Sequence, residues 1–288
     1  MKHRTSLFLL AITIVYIVYS FIRGYTDINI SSIFTPLILL PFAIIHGSMY
    51  CGVKKMSYFF LLVFIVSVFY ESVSVSSGFP FGHYYYSDRL GTKIFDVPLA
   101  IMPTYFSLGY VSWFISMILL NQVDKPIPTV SKAIIISLVA SFVMVSWDVV
   151  MDPVNSLIKS LWVWTDRGVY FGVPLSNFFG WFLCVFTFYL PFTLWCYNDK
   201  VHLKQIPTHG YLYLPSIVYI TIMSKYILCF LFKDSIDVTT LHGEVFSSKD
   251  VYGSVMLIGL FTMLPIGIQS IYKIYRHRNH SLRATTAL

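Results

Sequence analysis

Eight apolar stretches, each of roughly the 17 to 25 residues that cross a bilayer as a helix, follow one another along the chain with short polar connectors between them. They run over residues 5–22, 31–53, 56–77, 97–122, 133–151, 173–198, 211–232 and 251–272. This succession predicts an all-α protein, a polytopic integral membrane helical bundle of about eight transmembrane helices, with 1–288 forming a single membrane domain. Composition agrees: 57% of residues are hydrophobic and 11% charged, against about 25% charged in a soluble domain. Pro41, Pro191 and Pro265 fall inside expected spans, where neighbouring helices re-satisfy the backbone groups that proline frees. The start, Met-Lys-His-Arg before an apolar run, has the form of a secretory signal, but no small-residue cleavage site follows, so it reads as the first span.

Cys51, Cys184, Cys196 and Cys229 lie in or at the ends of apolar stretches with no Cys-x-x-Cys pair, which indicates neither a zinc site nor a disulfide framework. The net charge of +7 is distributed as a membrane protein distributes it. With the amino terminus inside, the inner segments hold Lys2, Arg4, Lys54, Lys55, Lys125, Lys132, Lys200, Lys204, Lys273, Arg276, Arg278 and Arg283. The outer segments hold Arg23, Arg89, Lys93, Lys159, Arg167, Lys233 and Lys249. This excess follows the positive-inside rule, predicts both termini in the cytoplasm and argues against a nucleic-acid partner.

Part of the chain is written twice. YSDRLGTKIFDVPL, starting at Tyr86, parallels WTDRGVYFGVPL, starting at Trp164, and Asp88 matches Asp166, Val97 matches Val173 and Glu71 matches Asp148 at nearly constant offset. Two helical hairpins, 56–122 and 133–198, are therefore expected to be copies in the same orientation, related by an axis along the membrane normal.

An ionisable group inside a span costs about 2.5 to 3.5 kcal/mol at the bilayer centre, so each needs a reason. Glu71, Asp148, Lys225 and His46 are the candidates. Glu71, Asp148 and Lys225 sit at similar depth in their spans. Glu71 shares a helix face with Ser67 and Ser74, and Asp148 shares one with Ser137, Ser141 and Asp152. Pro153 disfavours helix at Asp152, which predicts that span five ends there with both aspartates in its last turn. A helix carboxyl end and low-dielectric surroundings disfavour the anion and suit a general acid. Lys225 works the other way, since contact with Glu71 or Asp148 makes a salt bridge.

The loops GFPFGHYYY and LWVW bring Phe81, His83, Tyr84, Tyr86, Trp162 and Trp164 to the membrane boundary. Such rings form an aromatic belt, or line a pocket where their π faces stabilise a carbocation. His83 is solvated or orients water. No dinucleotide fingerprint, Walker sequence or nucleophile elbow occurs, and the histidines form no intramembrane cluster. Asp148 and Asp152 lack the second aspartate-rich motif of a magnesium-diphosphate site, so neither cofactor nor metal is expected.

Glu71 with GFPFGHYYY, then VPL, WDVVMDP, WVW and YFGVPLSNFFGWF resemble the carotenoid biosynthesis membrane proteins typified by the carotenoid 1,2-hydratases, over residues of about 70–182. The resemblance implies cofactor-free addition of water to the terminal double bond of an acyclic carotenoid. The residues it carries over are Glu71, His83, Asp148, Asp152, Asn177 and Trp181. Trp147 and Tyr170 lie in the same motifs and join the aromatic and polar residues, Lys225 included, expected around the substrate. Asp96 before Val-Pro, and Met102-Pro-Thr-Tyr105 in place of a more hydrophobic run, depart from the pattern. On this reading Asp148 or Glu71 donates the proton and Asp152 or His83 positions water, with an isoprenoid or carotenoid and membrane lipid as partners. A terpene or carotenoid cyclase uses the same acid without water capture, and a proton-coupled transporter or lipid-binding protein would use Glu71, Asp148 and Lys225 as a relay.

Overall fold

The computed structural model describes residues 2–26, 34–197 and 209–286, and among them eight segments are long and apolar enough to cross a membrane. Residues 31–33 and 198, at the ends of two expected spans, lie outside the described residues, as do Lys200, His202 and Lys204 and the side chains of Lys2, Arg278 and Arg283. The helices are α1 (Lys2–Tyr25), α2 (Phe34–Cys51), α3 (Val53–Ser77), α4 (Met102–Leu119), α5 (Val130–Pro153), α6 (Leu175–Trp195), α7 (His209–Phe232), α8 (Ser248–Phe261) and α9 (Met263–Thr286). Six short strands occupy the connections at the face where α1, α3, α5 and α7 end: β1 (Tyr84–Tyr86), β2 (Lys93–Ile94), β3 (Val97–Pro98), β4 (Trp162–Trp164), β5 (Asp237–Thr239) and β6 (Val245–Ser247). β2 pairs with β3 and β5 with β6 as local hairpins, whereas β1 pairs antiparallel with β4 across 75 residues of intervening chain.

A helix that is apolar all round belongs inside a bundle, and α4 has that composition. Every residue from Tyr105 to Ile118 is buried, and α4 packs against α2, α3, α5, α7 and α9. Two of its serines bond backward to their own helix, Ser107 to the Pro103 carbonyl and Ser116 to the Trp113 carbonyl, both at 2.6 Å, and Ser112 donates to Met144 Sδ of α5 at 3.7 Å. α1 is the opposite case, with Leu7, Phe8, Ile14 and Phe21 each at least half exposed, as a helix facing lipid requires. His46 is structural. Its ring is fully buried and stacks on Tyr211 at 3.7 Å, Nδ1 lies 2.6 Å from the Tyr110 hydroxyl, and Nε2 lies 3.0 Å from the Tyr211 carbonyl. α2, α4 and α7 are fastened there.

At three prolines the structure differs from the sequence reading, and the last helix runs on to Thr286, past the expected end at 272. The span expected from residue 97 begins as a helix at Met102, because Val97–Pro98 is spent on the β2–β3 hairpin. Span five does not end at Asp152. The helix runs through Pro153 (φ −57°, ψ −35°) into a wider turn, Val154–Ile158, in which the Lys159 N–H bonds to the Val154 carbonyl five residues back. Proline only biases its predecessor away from helix, and here Asp152 is held by three side-chain donors from outside α5. The last span, in contrast, is broken at Thr262 (φ −116°, ψ −65°), where Pro265 removes the N–H that would reach Phe261.

Eight crossings put the β5–β6 hairpin on the face opposite the chain ends. A reporter inserted at Asp237 should label one side of the membrane and a reporter fused after Leu288 the other. Labelling of both from the same side would remove the eight-crossing arrangement.

Candidate active site

Glu71 and the two aspartates approach one region from neighbouring hairpins, and the loops above them complete the site. Gly78 caps α3 in the left-handed conformation (φ +77°), which glycine adopts without strain. The chain then folds back over the helix end: the Ser74 hydroxyl donates to the Gly82 carbonyl at 3.1 Å and accepts the Phe81 N–H at 3.1 Å. On the other side the loop presses on α6, where Gly180 leaves room. A Cβ at that position would stand 2.8 Å from the Pro80 carbonyl group. The Ser176 hydroxyl donates to the Phe81 carbonyl at 3.0 Å.

This docking sets β1 against β4, with Tyr84 opposite Trp164 and Tyr86 opposite Trp162. Alternate residues of a strand share a face, so four aromatic rings point into the bundle while Tyr85 stays half exposed. Their polar ends meet the carboxyls. Glu71 Oε1 accepts from Tyr105 at 2.6 Å, and Oε2 accepts from Tyr86 at 2.8 Å and also from Tyr84. Asp152 Oδ1 accepts from Trp162 and Trp164 Nε1, both at 3.1 Å, and Oδ2 accepts from Asn177 Nδ2 at 2.8 Å. The same Nδ2 donates to Asp148 Oδ2 at 3.0 Å. Asp148 Oδ1 is buried with no hydrogen-bond partner among the described residues. Burial first, then the neighbouring Glu71 charge, pushes the Tyr84 and Tyr86 hydroxyls well above the ordinary tyrosine range, so both remain O–H donors.

Glu71 and Asp152 line a common cavity of about 660 Å³. Phe81, Tyr84, Tyr86, Trp147, Trp162 and Trp164 also line it, together with Asn177, Trp181 and Lys225. Trp181 stacks flat on Tyr105, centroids 4.5 Å apart and planes at 3°, and meets Trp147 edge-on at 5.8 Å.

Three expected residues sit elsewhere. Asp148 lies behind Asn177 rather than on the cavity wall. Tyr170 packs on Phe171 and Phe178 outside the cavity, and burial, then Asp152 and Asp148, raises its hydroxyl. His83 is more than half exposed, with Nδ1 3.1 Å from Asp166 Oδ1 and its backbone N–H on Asp166 Oδ2 at 2.7 Å. Two glycines, Gly78 and Gly82, turn the loop so that its alternating tyrosines face inward and its histidine outward. Lys225 reaches the cavity but forms no ion pair with a described carboxylate; its Nζ lies 4.2 Å from the centroid of the Tyr226 ring. Tyr105, which donates to Glu71, is the position in this cluster that sequence reasoning missed. Its only signal was negative, a tyrosine in the run Met102-Pro-Thr-Tyr105 where the related pattern is more hydrophobic.

Fold and site together define a polytopic membrane protein in which Glu71 and Asp152, capped by neutral side-chain donors, line an aromatic-rich cavity. The chain belongs to the carotenoid biosynthesis protein family, whose model matches residues 30–241. A bisanhydrobacterioruberin hydratase from Haloarcula japonica is 28% identical over 114 residues, which is 39% of this chain and 36% of the relative, so the match spans about a third of that protein's length. No solved structure matches the chain.

Asn177 separates two carboxyls with a single amide. Asn177→Leu leaves them facing each other without it and should destabilise the protein by about 1–3 kcal/mol, the range for stranding a buried polar group. Thermal unfolding in detergent reads this. An unchanged midpoint would show that the amide is not what reconciles the aspartates.

Proposed function

We propose that this protein is a carotenoid-modifying membrane enzyme that adds water to a terminal C=C bond of an acyclic carotenoid. Two donor-capped carboxyls facing one aromatic cavity carry this reading, and the match to a hydratase supports it. A cavity of about 660 Å³ is of the size that takes a drug-sized group. It therefore receives the end of a long polyene, and the remaining chain lies among the helices or in lipid.

The two carboxyl clusters have different donor sets and take different roles. Asp148 and Asp152 each place an oxygen within 3.0 Å of one Asn177 nitrogen. Two charges that close in a low-dielectric interior repel, so the pair holds a proton between them, and Asp152 presents it to the cavity. Asp152 adds that proton to the less substituted alkene carbon, leaving a tertiary cation. The faces of Trp162, Trp164, Trp181 and Tyr86 screen the cation from bulk solvent and stabilise its charge. Glu71, whose oxygens accept three tyrosine O–H groups, acts as the carboxylate that orients water and takes its proton as the C–O bond forms. One alkene and one water become one tertiary alcohol, and the proton taken from water restores the aspartate pair. No redox step is involved.

In the same reading hairpins 56–122 and 133–198 are copies about a local two-fold axis. The antiparallel meeting of Tyr84–Tyr86 with Trp162–Trp164 supports this, since equivalent strands would pair in that way.

The test is product analysis in membranes making an acyclic carotenoid, with and without the protein. A product heavier by one water is expected. A product of unchanged mass would indicate cyclisation, and absence of any product would favour transport or binding. Asp152→Asn and Glu71→Gln, compared at equal abundance, should each lower turnover by at least ~10²-fold, the scale of losing a general acid or base. Wild-type turnover in both would overturn this mechanism.

A further inference from the structure

The cavity also carries basic groups. Among the described residues, four cationic side chains, Arg23, Arg89, Lys159 and Lys225, line it, against two carboxylates, Glu71 and Asp152. Those carboxylates are engaged by tyrosine, tryptophan and asparagine donors rather than by the cations. Lys159 Nζ contacts the neutral Asn155 Oδ1 at 3.0 Å, and Lys225 Nζ rests on the Tyr226 ring. Neither forms an ion pair among the described residues. Arg23 is held at the cavity by bonds to Tyr19 Oη at 2.9 Å and Thr35 Oγ1 at 3.3 Å, and Arg89 donates to the Lys159 carbonyl at 2.7 Å.

Lys159 and Lys225 thus share one cavity with Arg23. Like charges gathered at the edge of a low-dielectric interior are unfavourable unless an anion joins them. Lys225 lies seven residues before the end of α7 at Phe232, about 10 Å below it at 1.5 Å per residue. An anion reaching that depth needs a hydrocarbon part suited to the rest of the cavity. A single carboxylate meets one of the two lysines, whereas a phosphate or diphosphate offers several oxygens to both.

We propose that the cavity, through Lys159 and Lys225, binds the phosphate head of an amphiphile, a phosphate ester on a hydrocarbon chain. Two sources share this chemistry, a prenyl diphosphate and an anionic phospholipid. The site does not rest on the hydration reaction, and its failure leaves that reading untouched.

The test uses the full chain in a nonionic detergent, titrated separately with farnesyl diphosphate, phosphatidylglycerol and the uncharged alcohol farnesol. Native mass spectrometry counts bound molecules. Fluorescence of the lining tryptophans Trp147, Trp162, Trp164 and Trp181 reports occupancy of the cavity. At least one phosphate compound should bind ~10-fold or more tightly than farnesol, a difference of about 1.4 kcal/mol, and which of the two binds better identifies the source. Lys159→Met with Lys225→Met should abolish that preference, while Lys225→Arg should keep it. Equal affinity for farnesol and both phosphate compounds in the wild type overturns the proposal. So does a preference undiminished in the double variant. Should the double variant fail to accumulate, the wild-type comparison and Lys225→Arg still decide.

Discussion

A carboxyl group taken into a helix bundle within a membrane must find donors there, and the arrangement of this protein around its cavity follows from how that need is met. Glu71 draws its donors from β1 and α4. Asp152 draws its own from β4 and α6. Because β1 and β4 are hydrogen-bonded to each other, the two sets are parts of one connected structure. The donors are tyrosine O–H, tryptophan N–H and one asparagine amide in place of lysine or arginine, so Glu71 and Asp152 are satisfied by neutral groups. A salt bridge at either position would have satisfied the charge and filled the space with a flexible cation. Rings satisfy it and also form a rigid wall.

The same economy explains the packing below the site. α4 runs through the bundle with Ser107 and Ser116 bonded to its own backbone and its rings against α3 and α6, as in the pairs Phe59–Phe106 and Trp113–Phe192. The one buried imidazole in this region, His46, spends both nitrogens on tyrosines of α4 and α7. Most polar groups inside this bundle are paired locally or used to join helices. Asp148 Oδ1 and Tyr170 Oη, both close to the aspartate pair, are left without such a partner among the described residues.

The spans are legible in the sequence because lipid demands long uninterrupted apolar runs, and the demand is local to each run. The membrane acids are legible for the same reason, since Glu71 and Asp148 stand out against a background with few charges. What is illegible depends on long-range pairing. The meeting of β1 with β4 decides that Tyr84, Tyr86, Trp162 and Trp164 face inward while His83 faces Asp166, and nothing in either loop alone states this. Tyr105 is hidden because a tyrosine near the start of a span reads as an ordinary interfacial residue until its hydroxyl is seen on Glu71. Asp148 and Asp152 share a helix face and look equivalent, yet Asn177, from another helix, puts one on the cavity and the other behind it. Proline was read by local rule and misled at Pro153, where contacts from β4 and α6 outweigh the bias.

The order of these partners along the chain bears on how the protein is made. Tyr84 and Tyr86 follow Glu71 by 13 and 15 residues, and Trp162 and Trp164 follow Asp152 by 10 and 12. Each acid therefore leaves the ribosome just ahead of the rings that will cap it. Synthesis runs at about 5–20 residues per second, so a carboxyl entering the bilayer precedes its donors by a few seconds at most. Each hairpin carries the donors for its own cavity acid, and the β1–β4 pairing joins the two sets.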